Sequence, residues 1–214
     1  DAELVDIKAK ETALRNQLQE LQRQKARVLA TRKLRIGIVG FGRFGQFLAE
    51  AFRRAGHEFS VLSRSDRAAE AAQFEAAAYY DLNLDDDVRA FLSTGDVIVL
   101  CVSIVSFEDS LRRLRPFLLR QSERKSQLFA DVLSVKEHAK RSMLEALPEH
   151  TSLLCTHPMF GPDSGRETWK TLPFVFEKVR VRDDALDRCE RFLSIFESAG
   201  CKMVELTCRQ HDVY

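Results

Sequence analysis

Three glycines in GxGxxG spacing, Gly40, Gly42 and Gly45, close the stretch LRIGIVGFGRFG that begins at Leu34. The first glycine of such a turn permits a tight bend, the second lets backbone N–H groups approach a pyrophosphate, and the third lets helix and strand pack closely. Arg43 and Phe44 lie inside the motif, where a helix amino terminus adds partial positive charge toward a phosphate. The spacing alone is a weak signal, and a glycine turn that binds nothing is the bland alternative. A strand before it and a helix after it make a dinucleotide site the favoured reading. At the end of the next apolar run, where an acid would accept hydrogen bonds from the ribose of NAD, the chain carries Ser63, Arg64 and Ser65. Hydroxyls and a guanidinium fork hold a 2′-phosphate that an acid would repel, so these residues favour NADP. The competing reading makes Arg64 a solvated surface charge and gives the ribose to Asp66.

In a doubly wound sheet, ligands lie beyond the carboxyl ends of the strands. That rule puts Cys101, Val102 and Ser103 beside the cofactor, along with Asp131, Leu133, Ser134 and Lys136 from the segment FADVLSVKE. Ser134 is equally a helix cap and Lys136 equally a first-turn surface residue. His157 follows the apolar run SLLCT and is the best candidate for chemistry. A neutral imidazole can take the proton of a substrate hydroxyl while hydride leaves the same carbon. Pro158 stiffens the backbone that presents it. A lone histidine is more often structural than catalytic, and the place of His157 at a strand end brings the two readings to even weight. His57, His138, His150 and His211 read as helix-end or surface residues, and the spacing implies no metal site.

The elements that must position these groups alternate. Strands are expected at residues 34–39, 59–62, 97–102, 127–132, 152–156, 174–181 and 203–207. Helices are expected to begin near Arg43, Arg67, Leu84, Ser106, Lys136 and Asp183. The alternation predicts an α/β fold, a doubly wound and mainly parallel Rossmann-like sheet over 34–207. Residues 156–174 form a long connection with three prolines and two glycines, the kind of ordered loop that carries function. Residues 1–33 contain no Gly or Pro and predict a long amphipathic helix. Ile7, Leu14, Leu21 and Val28 share one heptad position and Leu4, Glu11, Leu18 and Lys25 the other, which suits a short coiled coil or a packing helix. Residues 208–214 read as the start of a further, cut helical segment.

The balance of 33 basic and 32 acidic side chains over 214 residues gives no reason to expect a nucleic acid or membrane surface as partner. No apolar run reaches the roughly 20 residues that a membrane-spanning helix needs. Five cysteines without CxxC spacing fit reduced core thiols better than a disulfide frame.

GFGRFG, SRSD, DVLSVKE and above all THPMFGPDSG resemble, in order along residues 34–214, the arogenate and prephenate dehydrogenases of tyrosine biosynthesis, especially the plant-type NADP-linked arogenate enzymes. The histidine-proline followed by its glycine-containing loop is far more specific than GxGxxG. The resemblance implies oxidative decarboxylation of arogenate or prephenate with NADP. It assigns the hydroxyl to His157 and sets Ser103 near nicotinamide and substrate. It also gives the shape of the substrate pocket to the 159–165 loop with Met159, Gly161, Asp163 and Ser164. A homodimer and a plastid location, for a plant or algal source, go with it; any other source implies the cytoplasm. Two departures stand out. Val102 occupies a position where relatives carry a hydroxyl, and the family continues into a helical domain that supplies dimer contacts and a basic group for the substrate carboxylate. The expectation is a chain that binds NADP well and turns over substrate poorly. Two other readings stay open: an NADP reductase of the β-hydroxyacid or imine type, and a non-catalytic NADP-binding assembly module.

Overall fold

A computed structural model describes residues 2–30, 32–120 and 127–213. Asp1 and Thr31 of the expected amino-terminal helix, and Tyr214 of the expected terminal segment, lie outside the described residues. The chain divides into two units, residues 1–32 and 33–214. The first is one helix, α1 (Ala2–Ala30). Its strong helix formers are supported by i,i+4 ion pairs such as Lys10 with Asp6 at 2.7 Å and Arg15 with Glu11 at 2.6 Å. The heptad side chains Leu4, Ile7, Leu14, Leu18, Leu21 and Val28 are all exposed.

The second unit runs β1 (Arg35–Val39), α2 (Arg43–Arg54), β2 (Glu58–Ser63), α3 (Ala68–Gln73), β3 (Ala78–Asp81), α4 (Asp85–Thr94), β4 (Val97–Leu100), α5 (Ile104–Leu118), β5 (Leu128–Asp131), α6 (Lys136–Ala146), β6 (Ser152–Pro158), β7 (Pro173–Arg180), a short 3₁₀ turn Asp183–Ala185, α7 (Leu186–Ser198), β8 (Lys202–Glu205) and α8 (Cys208–Val213). The strands form one sheet in the order β3-β2-β1-β4-β5-β6-β7-β8. Every pairing is parallel except β6 with β7. This is the doubly wound order, whose strand sequence reverses between β1 and β4 and opens a crevice there.

Strand residues alternate between two buried clusters because successive side chains point to opposite faces. Ile36, Ile38, Val97 and Val99 join Leu48 and Phe52 of α2 and Phe192 and Phe196 of α7 on one face. Val39, Ile98, Leu100 and Phe129 join Val88 of α4, Leu111 of α5 and Met143 of α6 on the other. Each of these large apolar side chains contributes about 1.5–3 kcal/mol when fully buried. The scaffold that fixes the strand ends is therefore rigid.

Two features depart from the expected pattern. The strand β3 forms where none is expected, because FEAAAYYD is short and alanine-rich and carries no run of β-branched residues. The strand expected to reach Val102 ends at Leu100, where Cys101 and Val102 cross over the glycine turn. Residues 208–213 form α8, which packs on α6 and β7 within the same unit as the sheet.

Candidate functional site

The glycine turn sits at the carboxyl end of β1. Gly40 has φ +89°, and a Cβ there would stand 2.8 Å from the Cys101 carbonyl oxygen and from Val102 Cγ1. A Cβ on Gly45 would lie 2.4 Å from the Gly40 carbonyl oxygen, so this glycine lets α2 close on β1. Gly42 differs: a Cβ there would meet nothing within 4 Å. Packing therefore does not demand glycine at 42, whereas a ligand backbone passing across the turn would. No side chain caps α2, whose first turn faces the same space. The residues present fit a dinucleotide pyrophosphate.

A cleft of about 420 Å³ continues from the turn to the end of β2, lined by Gly40, Gly42, Ser63, Arg64, Ser65, Cys101, Val102 and Ser103. Arg64 is exposed, and among the described residues its guanidinium has no ion-pair partner. Two further arginines line the cleft, Arg67, expected only as a helix start, and Arg113, for which no role is expected. Both are engaged, Arg67 with Glu70 at 2.6 Å and Arg113 with Asp85 at 2.7 Å. The Asp66 carboxylate accepts from the Ala68 backbone N–H at 3.0 Å, two residues on at the start of α3, and does not line the cleft. The unnoticed strand β3 holds this loop. Tyr79 donates its hydroxyl hydrogen to the Ser65 carbonyl at 3.1 Å and accepts from the Arg67 N–H at 3.2 Å. Asn83, just beyond β3, donates to the Arg64 carbonyl at 3.0 Å.

Cys101 and Val102 also line a second hollow of about 560 Å³, with Phe44, Leu133, Ser134, His157, Met159, Gly161 and Ser164. The two spaces therefore adjoin across the ends of β1 and β4. His157 is half-buried at the end of β6. Its Nδ1 lies 2.8 Å from Nε2 of His211, and His211 Nδ1 lies 2.8 Å from Oδ1 of Asp212. Among the described residues no protein group hydrogen-bonds its Nε2, the ring nitrogen left for the hollow. Burial first, then the Lys136 ammonium, hold the His157 imidazole at about 4, so it is neutral near neutral pH.

Beneath it lies a buried ion pair. Lys136 and Asp131 side chains are 2% and 0% exposed and in contact. Lys136 also donates to the Thr156 carbonyl, while Asp131 accepts from the N–H groups of Leu133 at 3.0 Å and Thr156 at 3.3 Å. Burial pushes the Asp131 carboxyl up against the pull of the Lys136 ammonium. This pair ties the ends of β5 and β6 together and so sets where His157 stands.

Several expectations change accordingly. Asp131 does not face the cofactor cleft, because its carboxylate is consumed by Lys136 and backbone donors. Lys136 is a buried cation under the histidine and no surface residue. Ser134 does not cap α6. Asp212 does, accepting from the N–H of Lys136 at 2.9 Å and of Glu137 at 2.8 Å. His211 is no surface residue: its side chain is 11% exposed and bonded to His157. Arg43 and Asp163 line neither the cleft nor the hollow; they form an exposed pair with each other at 2.8 Å, because α2 and the 159–165 loop meet there. Gly45 is buried where α2 closes on β1, and the other expected cofactor-site and substrate-loop residues lie on these two adjoining spaces. A search of the sequence for HD pairs near the chain end would not have found the His211 contact, since only the packing of α8 on α6 brings 157 and 211 together.

Comparison with known proteins bears on this geometry. The family described as "Prephenate dehydrogenase, nucleotide-binding domain" matches residues 48–197. Arogenate dehydrogenase 2, chloroplastic, of Arabidopsis thaliana is 49% identical over 183 residues, covering 85% of this chain and 49% of the relative. The chain thus spans about half the length of that curated relative. The crystal structure of Synechocystis arogenate dehydrogenase superposes with a TM-score of 0.61 at 25% identity, covering 84% of this chain and 62% of that one. Prephenate dehydrogenase from A. aeolicus, solved with hydroxyphenyl propionate and NAD+, superposes at 0.62 with 16% identity over 85% and 62% of the two chains, which is a likeness of fold.

Proposed function

Since this chain belongs to the prephenate dehydrogenase nucleotide-binding-domain family, whose members use NAD(P), we propose that it serves the NADP-linked oxidative decarboxylation of arogenate, with prephenate as the related substrate. The observation that carries the reading is the adjoining of the two spaces: Cys101 and Val102 border both the turn-and-Arg64 cleft and the His157 hollow. A dinucleotide laid across them has its adenosine phosphate at Ser63, Arg64 and Ser65 and its nicotinamide end toward His157. When bound, NADP supplies the hydride acceptor.

The chain's own residues do the rest. Gly40, Gly42 and the first turn of α2 receive the pyrophosphate, with Gly45 letting that helix close on β1 and Phe44 bordering the His157 hollow. The unpaired Arg64 guanidinium favours a 2′-phosphate, and Asp66, tied to α3, leaves the ribose. His157, neutral, accepts the ring hydroxyl proton at Nε2. Met159, Gly161 and Ser164 bound the substrate ring, with Ser103 and Leu133 on the nicotinamide side. Arogenate is favoured over prephenate by the Arabidopsis thaliana relative's own specificity as named, and the same relative supports a plastid location. Pairing of two copies through the exposed heptad face of α1 completes the proposal.

The test is kinetic. Turnover of arogenate and prephenate with NADP+ and NAD+ is measured for the wild type and for His157→Asn, with NADP+ affinity measured alongside. The expected result is loss of turnover by roughly 10²–10⁴-fold with NADP+ affinity kept. Near-normal turnover in that variant overturns the assignment.

A further inference from the structure

His157 does not stand alone. It is the first member of a line of three groups that ends on the amino terminus of α6. Its Nδ1 meets His211 Nε2 at 2.8 Å, and His211 Nδ1 meets Asp212 Oδ1 at 2.8 Å. Asp212 in turn accepts from the backbone N–H groups of Lys136 and Glu137. Burial pushes the Asp212 carboxyl up, but those two N–H groups and the His211 ring outweigh it and hold the group below the usual carboxylate range. An ionised carboxylate is an acceptor only, so the proton between it and His211 sits on His211 Nδ1. With that nitrogen as donor, His211 Nε2 is the acceptor of the next contact, and the proton there belongs to His157 Nδ1. His157 Nε2 is thereby left as a lone pair facing the hollow.

We propose that His211 and Asp212 are positioning residues that fix His157 in its Nδ1–H tautomer and draw away the proton it receives. This rests on the reading of His157 as the proton acceptor. When a substrate hydroxyl gives its proton to His157 Nε2, the Nδ1 proton passes to His211 Nε2. His157 returns to the neutral state and the positive charge comes to rest between His211 and the Asp212 carboxylate. The substrate O–H bond breaks as His157 Nε2–H forms, and His157 Nδ1–H breaks as His211 Nε2–H forms; His211 keeps its Nδ1–H and carries the charge beside Asp212, and no other reactant is consumed. The arrangement answers a problem that the site itself creates. His157 lies over the Lys136 ammonium of α6, whose counter-ion Asp131 belongs to β5; the carboxylate that favours the charged form of His157 is Asp212 of α8, while Glu177 of β7 is engaged by Lys140 and the Cys208 N–H. A cation formed at His157 is opposed by Lys136, whereas one formed at His211 is paired.

The experiment reads imidazole nitrogen resonances of this chain by ¹H–¹⁵N correlation, free of cofactor, near neutral pH. The wild type is expected to show the protonated nitrogen of both His157 and His211 at Nδ1. His211→Phe keeps a ring but removes the acceptor, and His157 is expected to shift its proton to Nε2. His211→Gln restores an acceptor oxygen near the lost nitrogen, and the Nδ1–H tautomer of His157 is expected to return. A wild-type His157 protonated at Nε2, or one that keeps Nδ1–H in His211→Phe, overturns the proposal. The wild-type spectrum alone decides if a variant does not fold. Failure here leaves the loss of turnover in His157→Asn intact, and normal turnover there leaves these tautomers intact, so the two readings fail separately.

Discussion

Replacing Lys136 by methionine removes the buried ammonium while keeping an unbranched side chain of similar length. The side chains of Lys136 and Asp131 are 2% and 0% exposed, so the carboxylate left behind has no water to turn to. Breaking a buried pair from one side costs about 3–5 kcal/mol, because the surviving charge stays desolvated or must take up a proton. For a chain of this length each kcal/mol moves the melting temperature by about 2–4 °C, which puts the expected loss at roughly 6–20 °C. Thermal and urea unfolding followed by circular dichroism read it directly. Removing both charges, Lys136→Met with Asp131→Asn, is expected to recover most of the loss, since neither partner is then an orphan. The same single variant has a second readout. Lys136 is one of the causes that hold His157 at about 4, so its removal raises the His157 pKa toward the ordinary imidazole value in an NMR titration. A Lys136→Met protein as stable as the wild type, with His157 unmoved, refutes the claim that this pair underlies the site.

Two further outcomes follow from the cleft. Arg64→Ala is expected to weaken NADP+ binding by about 10- to 100-fold, the loss of one or two charge-assisted bonds, with NAD+ affinity little changed; calorimetry with both cofactors checks it. The motif glycines separate binding from folding: Gly42→Ala is expected to keep the wild-type melting temperature and lose dinucleotide affinity, while Gly45→Ala, with its Cβ 2.4 Å from the Gly40 carbonyl oxygen, loses stability by about 1–3 kcal/mol in thermal unfolding.

The alternation of apolar runs and helical stretches made the doubly wound sheet legible, because burial on both faces leaves continuous apolar strands such as VIVL at Val97–Leu100. The phosphate turn was legible for a similar reason, since strand, glycines and helix are adjacent in sequence. What sequence could not supply was contact between distant elements. Tyr79 pins the 63–67 loop from a strand whose alanines and aromatics lack a strand pattern. Lys136 reads as an ordinary first-turn lysine until β5 and β6 close over it. His211 joins His157 across 54 residues only because α8 folds back on α6. Arg43 and Asp163 are placed by position at the ligand, and their pairing with each other at the surface comes only from α2 meeting the 159–165 loop across 120 residues.

The central claim is that the imidazole of His157 faces the nicotinamide end of a dinucleotide whose phosphate end rests at Arg64. Intermolecular nuclear Overhauser effects between NADP+ and the isotope-labelled chain measure this without any need for turnover. The account predicts cross-peaks from the nicotinamide ring protons to the His157 ring and to Met159, together with adenosine ribose cross-peaks to the 63–65 loop. Saturating NADP+ with nicotinamide cross-peaks elsewhere and none to His157 contradicts it.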